Sequence, residues 1–203
     1  MKDIPLFTGS HGMASLILRE IPYRREAYVH LRAAFDSQEA LIRECESFCH
    51  MVGAEHTYVS GKGDFTGYPV YATLIERSIF CRNLPKTAAR AVPTDEADTW
   101  LCLYRETFKA VPAANSCPEA RGFYFIEQDG QRIGIGQIEG NCLRSVAALQ
   151  TGKGADCVCA MAALCEGESL TLLCAEENLP AMRLYDKLGF SRGNVQEVWY
   201  HTK

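Results

Sequence analysis

The stretch from Leu170 to Phe190 constrains the fold more than any other part of the chain. Leu170-Thr171-Leu172-Leu173-Cys174-Ala175 is an apolar run of strand length that ends at Glu176 and Glu177, and it predicts a buried strand. Asn178 follows as a helix N-cap, and Pro180 falls near the first helical position, where its missing N–H costs little. Ala181, Leu184, Tyr185 and Leu188 recur at helical spacing and share one face, and Gly189 supplies the stop. A strand, a sharp crossing and a helix with a tyrosine on its inner face can deliver a phenol into a cleft.

The segment before it has a related logic. Ser145 to Leu149 reads as a strand, Gly152-Lys153-Gly154 as a tight loop, and the residues from Asp156 on as an apolar helix. Further upstream, residues 81–93 read as a linker running into a first strand. Thr94 is placed to cap a helix, with Asp95 and Glu96 in its first turn and Ala97, Trp100, Leu101, Tyr104, Phe108 and Val111 on its inner face. Asp129-Gly130 between Gly122–Glu127 and Arg132–Ile138 is a hairpin signal. Gly140-Asn141 precedes the next strand, Cys142 to Leu149, and Val195 to His201 closes the chain. The pattern is α+β, a mixed sheet flanked by helices.

Residues 1–83 read as a smaller α/β unit, separate from 84–203. Ala14–Glu20 and Ala27–Arg32 flank Pro22-Tyr23-Arg24-Arg25 as a hairpin. Asp36 and Glu39 have capping-box spacing ahead of a helix lined by Leu41, Cys45, Phe48 and Val52 and closed by Gly53. His56–Ser60 is a strand, and the apolar segment Tyr68–Phe80 reads as a second helix. This order mimics residues 156–190, so the unit is readable as half of a domain like the one that follows.

The pattern Asn178, Ala181, Tyr185, Lys187, Gly189 and Phe190 resembles, in register, the Asn-x-x-Ala-x-x-x-Tyr-x-Lys-x-Gly-Phe run of the GNAT acetyltransferases. Residues 145–156 are similar to that family's strand, phosphate loop and helix start. Of the loop pattern (Gln/Arg)-x-x-Gly-x-(Gly/Ala), Gly154 is present, while Thr151 and Asp156 replace the outer positions. The resemblance covers roughly residues 88–203. It implies a splayed sheet that holds acetyl-CoA, the acyl donor, against Val146, Thr151, Gly152, Lys153, Gly154, Ala155 and Asn178. It implies Tyr185 as general acid for the coenzyme A sulfur, and transfer of the acetyl group to the amine of a small molecule or protein. A homodimer is allowed for.

Each assignment has a plainer counterpart. Gly152–Gly154 can cradle a pyrophosphate at a helix N-terminus or serve only as a turn. Tyr185 can act as an acid or fill the core. Asp156 would cap its own helix with N–H groups that a phosphate needs, and would set a negative charge beside a negative ligand. Glu127, Glu139 and His201 are the titratable groups at strand ends, and none is assigned as general base; a bound water would also serve. A ligand-binding or protein-interaction module without catalysis stands as the alternative function.

Composition excludes other classes. With 47% hydrophobic residues, 23% charged residues and a net charge of −4, the chain is globular and lacks the basic footprint of nucleic-acid binding. No apolar run reaches membrane-span length. Met1-Lys2-Asp3-Ile4-Pro5 carries no apolar secretory core, and Cys157, Cys159 and Cys165 lie in an apolar helical stretch, so a cytoplasmic location with free thiols is expected. Cys45, Cys49 and His50 share a helix, but two of them lie on its apolar stripe, and no metal site is assigned.

Overall fold

Why the first strands pack against one helix follows from their alternation. In the computed structural model, which describes residues 1–114 and 122–202, β1 (Ile4–Thr8), β2 (Gly12–Ile17) and β3 (Glu26–Ala34) form an antiparallel meander. Between β2 and β3 the chain makes a one-turn helix, α1 (Ile21–Arg24), with Pro22 in its first turn. Helix α2 (Gln38–Met51) then carries the chain back, so that β4 (His56–Gly61) lies parallel to β3. Leu41, Ile42, Cys45 and Cys49 of α2 are buried with Ala14, Leu16, Val29, Leu31 and Val59. The α2 cap is Ser37, whose hydroxyl accepts from the Ala40 N–H at 3.2 Å. The expected Asp36 cap is thus displaced by one residue, and the Asp36 carboxylate faces His11 instead.

A second expectation fails at Tyr68–Phe80. Residues Val70–Phe80 form strand β5, not a helix. Ala72, Ile75, Arg77 and Ile79 are buried, and a run rich in β-branched residues fits a pleated, half-buried surface better than a helix. The last strand, β11 (Ser191–His201), begins four residues earlier than expected. Its end pairs antiparallel with β4, Tyr200 opposite Val59.

Two compact units result: Met1–Thr73 with Glu197–Lys203, and Leu74–Gln196. In the second, the strand order is β5, β10 (Ser169–Ala175), β9 (Cys142–Ala148), β8 (Gln131–Glu139), β7 (Phe123–Gln128), β6 (Arg90–Pro93). All neighbours are antiparallel except β9 and β10, which are joined through α4 (Gly154–Ala162). The β7–β8 turn uses Asp129 at φ 52° and Gly130 at φ 73°, a type I′ geometry that matches strand twist. Helix α3 (Ala97–Phe108) begins after Glu96, so Thr94 accepts from the Glu96 N–H without capping the helix, and Val111 lies past its end.

One face of this sheet meets α4 closely. A Cβ on Gly136 would fall 2.4 Å from Met161 Sδ, and one on Gly134 would fall 2.4 Å from Cys157 Sγ. Glycine at both positions lets the helix sit on the strands. Cys165 lies beyond α4, not within it. On the other face, Trp100, Leu101 and Tyr104 of α3 pack with Phe123, Phe125 and Ile135. Helix α5 (Leu179–Leu188) precedes β11.

Candidate active site

The parallel ladder between β9 and β10 is short. Thr171 stands opposite Cys142 and Leu172 opposite Leu143, and there the pairing ends. Leu143 to Val146 and Leu172 to Ala175 both line a cavity of about 220 Å³ in the second unit. Tyr104 and Phe108 of α3, with residues 111–114 after it, supply a further wall, and Asn178, Ala181 and Tyr185 of α5 supply another. Strand edges released from pairing present backbone donors and acceptors that a ligand with amide groups can satisfy.

Asn178 Oδ1 accepts from the Ala181 N–H at 3.4 Å and starts α5, while Gly189 at φ 86° ends it. Between them Tyr185 is buried, with its ring 5.2 Å from Phe190. Burial, and secondarily neighbouring Cys174, pushes the phenol well above its ordinary value. The hydroxyl therefore keeps its proton at neutral pH. Arg77 of β5 fixes the far end of α5. Its guanidinium, only 2% exposed, donates to Asp186 and to the Phe190 carbonyl, the latter at 3.0 Å. Sequence reading missed Arg77, whose only signal was a charge in an otherwise apolar register of β5.

The residues expected at the site fall into two places. Tyr185, Val146 and Asn178 line the cavity together. Thr151, Gly152, Lys153, Gly154 and Ala155 form the loop and first turn between β9 and α4 and do not line it. Gly152 has φ 84°, and no side chain caps α4, so the first N–H groups of the helix lack intrahelical partners. Lys153 Nζ donates to Gln128 Oε1 at 3.0 Å and lies 3.6 Å from Asp156 Oδ2. Asp156 accepts from the Thr87 hydroxyl at 2.8 Å. Its carboxylate is committed to Thr87 and Lys153, and does not cap α4 as the sequence suggested.

None of the strand-end groups weighed as general base lines the cavity. Glu139 pairs with Arg144, its Oε2 accepting from the guanidinium at 2.8 and 3.1 Å. Glu127 stands between Arg90 and Arg132 in the β6–β7–β8 register. His201 belongs to the first unit. Cys174 does line the cavity, and burial pushes its thiol up to about 11, so it is a neutral wall and not a nucleophile. Cys45 and Cys49 are likewise core thiols, pushed up to about 12 by burial. Among the described residues, no group of three metal-ligating side chains converges.

No family model matches this sequence, and no curated protein matches it. Solved structures match over nearly the whole chain. A functionally unknown conserved protein from Staphylococcus epidermidis aligns with a TM-score of 0.57 at 12% identity, covering 96% of this chain and 91% of that one. A GCN5-related N-acetyltransferase from Kribbella flavida gives 0.57 at 11% identity, over 96% of this chain and 58% of that one. A GCN5-related N-acetyltransferase from Sphaerobacter thermophilus gives 0.52 at 15%, over 94% and 76%. The fold is that of the GNAT acetyltransferases, α+β with mixed strands flanked by helices.

Proposed function

We propose that this protein is an N-acyltransferase that takes an acetyl group from acetyl-CoA and passes it to an amine. The observation that carries the reading is the cavity where β9 and β10 part, with Tyr185, Val146 and Asn178 on its walls. In this reading the pantetheine arm lies along the two strand edges and the pyrophosphate rests over Gly152–Gly154. The amine nitrogen attacks the thioester carbonyl, the C–S bond breaks, and the Tyr185 hydroxyl protonates the departing thiolate. The attacking amine must be neutral, and the proton its nitrogen sheds passes to solvent; no side chain is assigned as base.

Asp156 favours a second reading, a GNAT-like module that binds a ligand or partner without transferring anything. Its side chain is 34% exposed and lies beside the phosphate loop. At ~5 Å and an effective dielectric of ~20, one like-charge pair costs roughly 3 kcal/mol before screening and solvent exposure reduce it. Lys153 offsets part of that. Titration of acetyl-CoA by calorimetry tests the coenzyme site that the transferase reading needs, and an acetyl-transfer assay on protein that binds then separates enzyme from binder. Saturable binding that strengthens about three- to thirtyfold in Asp156→Asn at low salt, with the gain shrinking as salt is added, supports the acyl-CoA reading. No heat at millimolar acetyl-CoA in either form removes it.

A further inference from the structure

We infer that Cys81 and Cys165 are a redox-sensitive thiol pair that a neutral hydroperoxide joins as a disulfide, fastening the end of β5 to the connection between α4 and β10. Both residues belong to the second unit, and the inference is independent of the acyl-CoA reading. Cys81 opens the one-turn 3₁₀ helix Cys81–Asn83 that follows β5, and its N–H donates to the Glu168 carbonyl at 2.8 Å. Cys165 lies past the end of α4, its N–H donating to the Ala162 carbonyl at 3.1 Å. The two thiols meet at the turn that leads into β10. Cys81 Sγ lies 4.0 Å from the Gly167 carbonyl oxygen and Cys165 Sγ 3.5 Å from that of Ser169, and the Cys81 S–H donates to the Cys165 sulfur.

Both residues are partly exposed, and both are free thiols in this structure. Neither sits inside a regular strand or α-helix, so small backbone shifts suffice to close an S–S bond. Cys45 and Cys49 are the contrast. They stand one turn apart on α2 and are fully buried, and Cβ atoms at that spacing are about 5–6 Å apart, beyond disulfide reach. Burial, and after it the hydrogen bond to Cys165, pushes the Cys81 thiol up. Cys81 therefore keeps its proton, and Cys165 is the thiol that attacks first. Glu166 and Glu168, both exposed in the turn, repel an anionic oxidant but not a neutral hydroperoxide. Cys165 gives up its proton and attacks one peroxide oxygen. The S–O bond forms as the O–O bond breaks, and the departing hydroxide takes that proton as water, leaving a sulfenic acid. The Cys81 sulfur then attacks the Cys165 sulfur. The S–S bond forms as the S–O bond breaks, and the second hydroxide leaves as water with the Cys81 proton. The two thiols are oxidised and the peroxide is reduced.

The test treats fully reduced wild-type protein with hydrogen peroxide, alkylates the remaining thiols in denaturant and maps the peptides by tandem mass spectrometry without reduction. The inference expects a Cys81–Cys165 linkage and an intact mass lower by two hydrogens. Tm should rise by about 5–15 °C, because the bridge closes a long loop of the unfolded chain, and dithiothreitol should reverse both changes. In Cys81→Ser the reaction should stop at a sulfenic acid on Cys165, which dimedone captures. In Cys165→Ser neither the bridge nor an adduct at Cys81 should form. The wild-type map decides the matter by itself if either variant fails to fold. Thiols left unchanged, a linkage through another cysteine, over-oxidation of Cys165 with Cys81 still free, or a bridge that leaves Tm unchanged or lower overturns the inference.

Discussion

Burial of Tyr185 beside Phe190 raises its pKa, which keeps the hydroxyl neutral and makes it a weaker acid. In the proposed reaction the neutral hydroxyl donates a hydrogen bond to the sulfur as negative charge develops there and passes its proton as the C–S bond breaks. Tyr185→Phe removes the proton and little else, so turnover should fall about 10²–10⁴-fold, with acetyl-CoA affinity within about twofold of wild type. A steady-state assay paired with titration checks this, and equal loss of stability and turnover would make Tyr185 a packing residue. His201, in the first unit, is shifted the opposite way. Its pKa is lowered by burial first and by His56 second, against Glu46. Above about pH 6.5 folded and unfolded chains both hold neutral imidazole. Below it the unfolded chain takes up a proton that the folded one resists, so stability falls as the pH drops. Thermal melts between about pH 7 and 5 should show that slope, and His201→Phe should flatten it.

At the scale of elements, α5 is held at both ends by interactions of different kinds. Asn178 caps its start, while Arg77 reaches from β5 to Asp186 and the Phe190 carbonyl at its end. The two partners of that ion pair are unequally exposed, Arg77 at 2% and Asp186 at 64%. Removing the carboxylate strands a buried guanidinium, whereas removing the guanidinium leaves a carboxylate that water can reach. Asp186→Ala should therefore cost about 3 kcal/mol in urea unfolding, and Arg77→Met well under that. The opposite order would show that the Phe190 carbonyl, and not Asp186, satisfies Arg77. Because Tyr185 precedes Asp186 directly, Asp186→Ala should also weaken acetyl-CoA binding in proportion to the loss of α5.

Across the whole molecule, the units defined by Met1–Thr73 with Glu197–Lys203 and by Leu74–Gln196 share a topology. Each has a three-strand antiparallel meander, a helix, and a strand parallel to the last of the three. The likeness between residues 1–83 and the following domain runs through that meander, and not through a second helix. Nine cysteines among the described residues are free, and Cys117 lies outside those residues. Stability comes from packing, so Tm should differ by less than about 1 °C with and without reductant; a large drop on reduction would reveal a bridge. No helix among the described residues is long and apolar enough to cross a membrane.

The segment Leu170–Phe190 was legible because everything that defines it is local: an apolar run, a capping asparagine, a helical repeat and a terminal glycine. The β7–β8 hairpin was legible for the same reason, since Asp129-Gly130 fixes its own turn. Tyr68–Phe80 was misread because an apolar run without clean alternation has no preferred period by itself. What made it a strand was pairing with β10, nearly a hundred residues away in the chain. The cavity and the anchoring by Arg77 were likewise set by tertiary structure. They depend on where a ladder stops and on what a buried charge meets, and those are properties of strands brought together, not of any one of them.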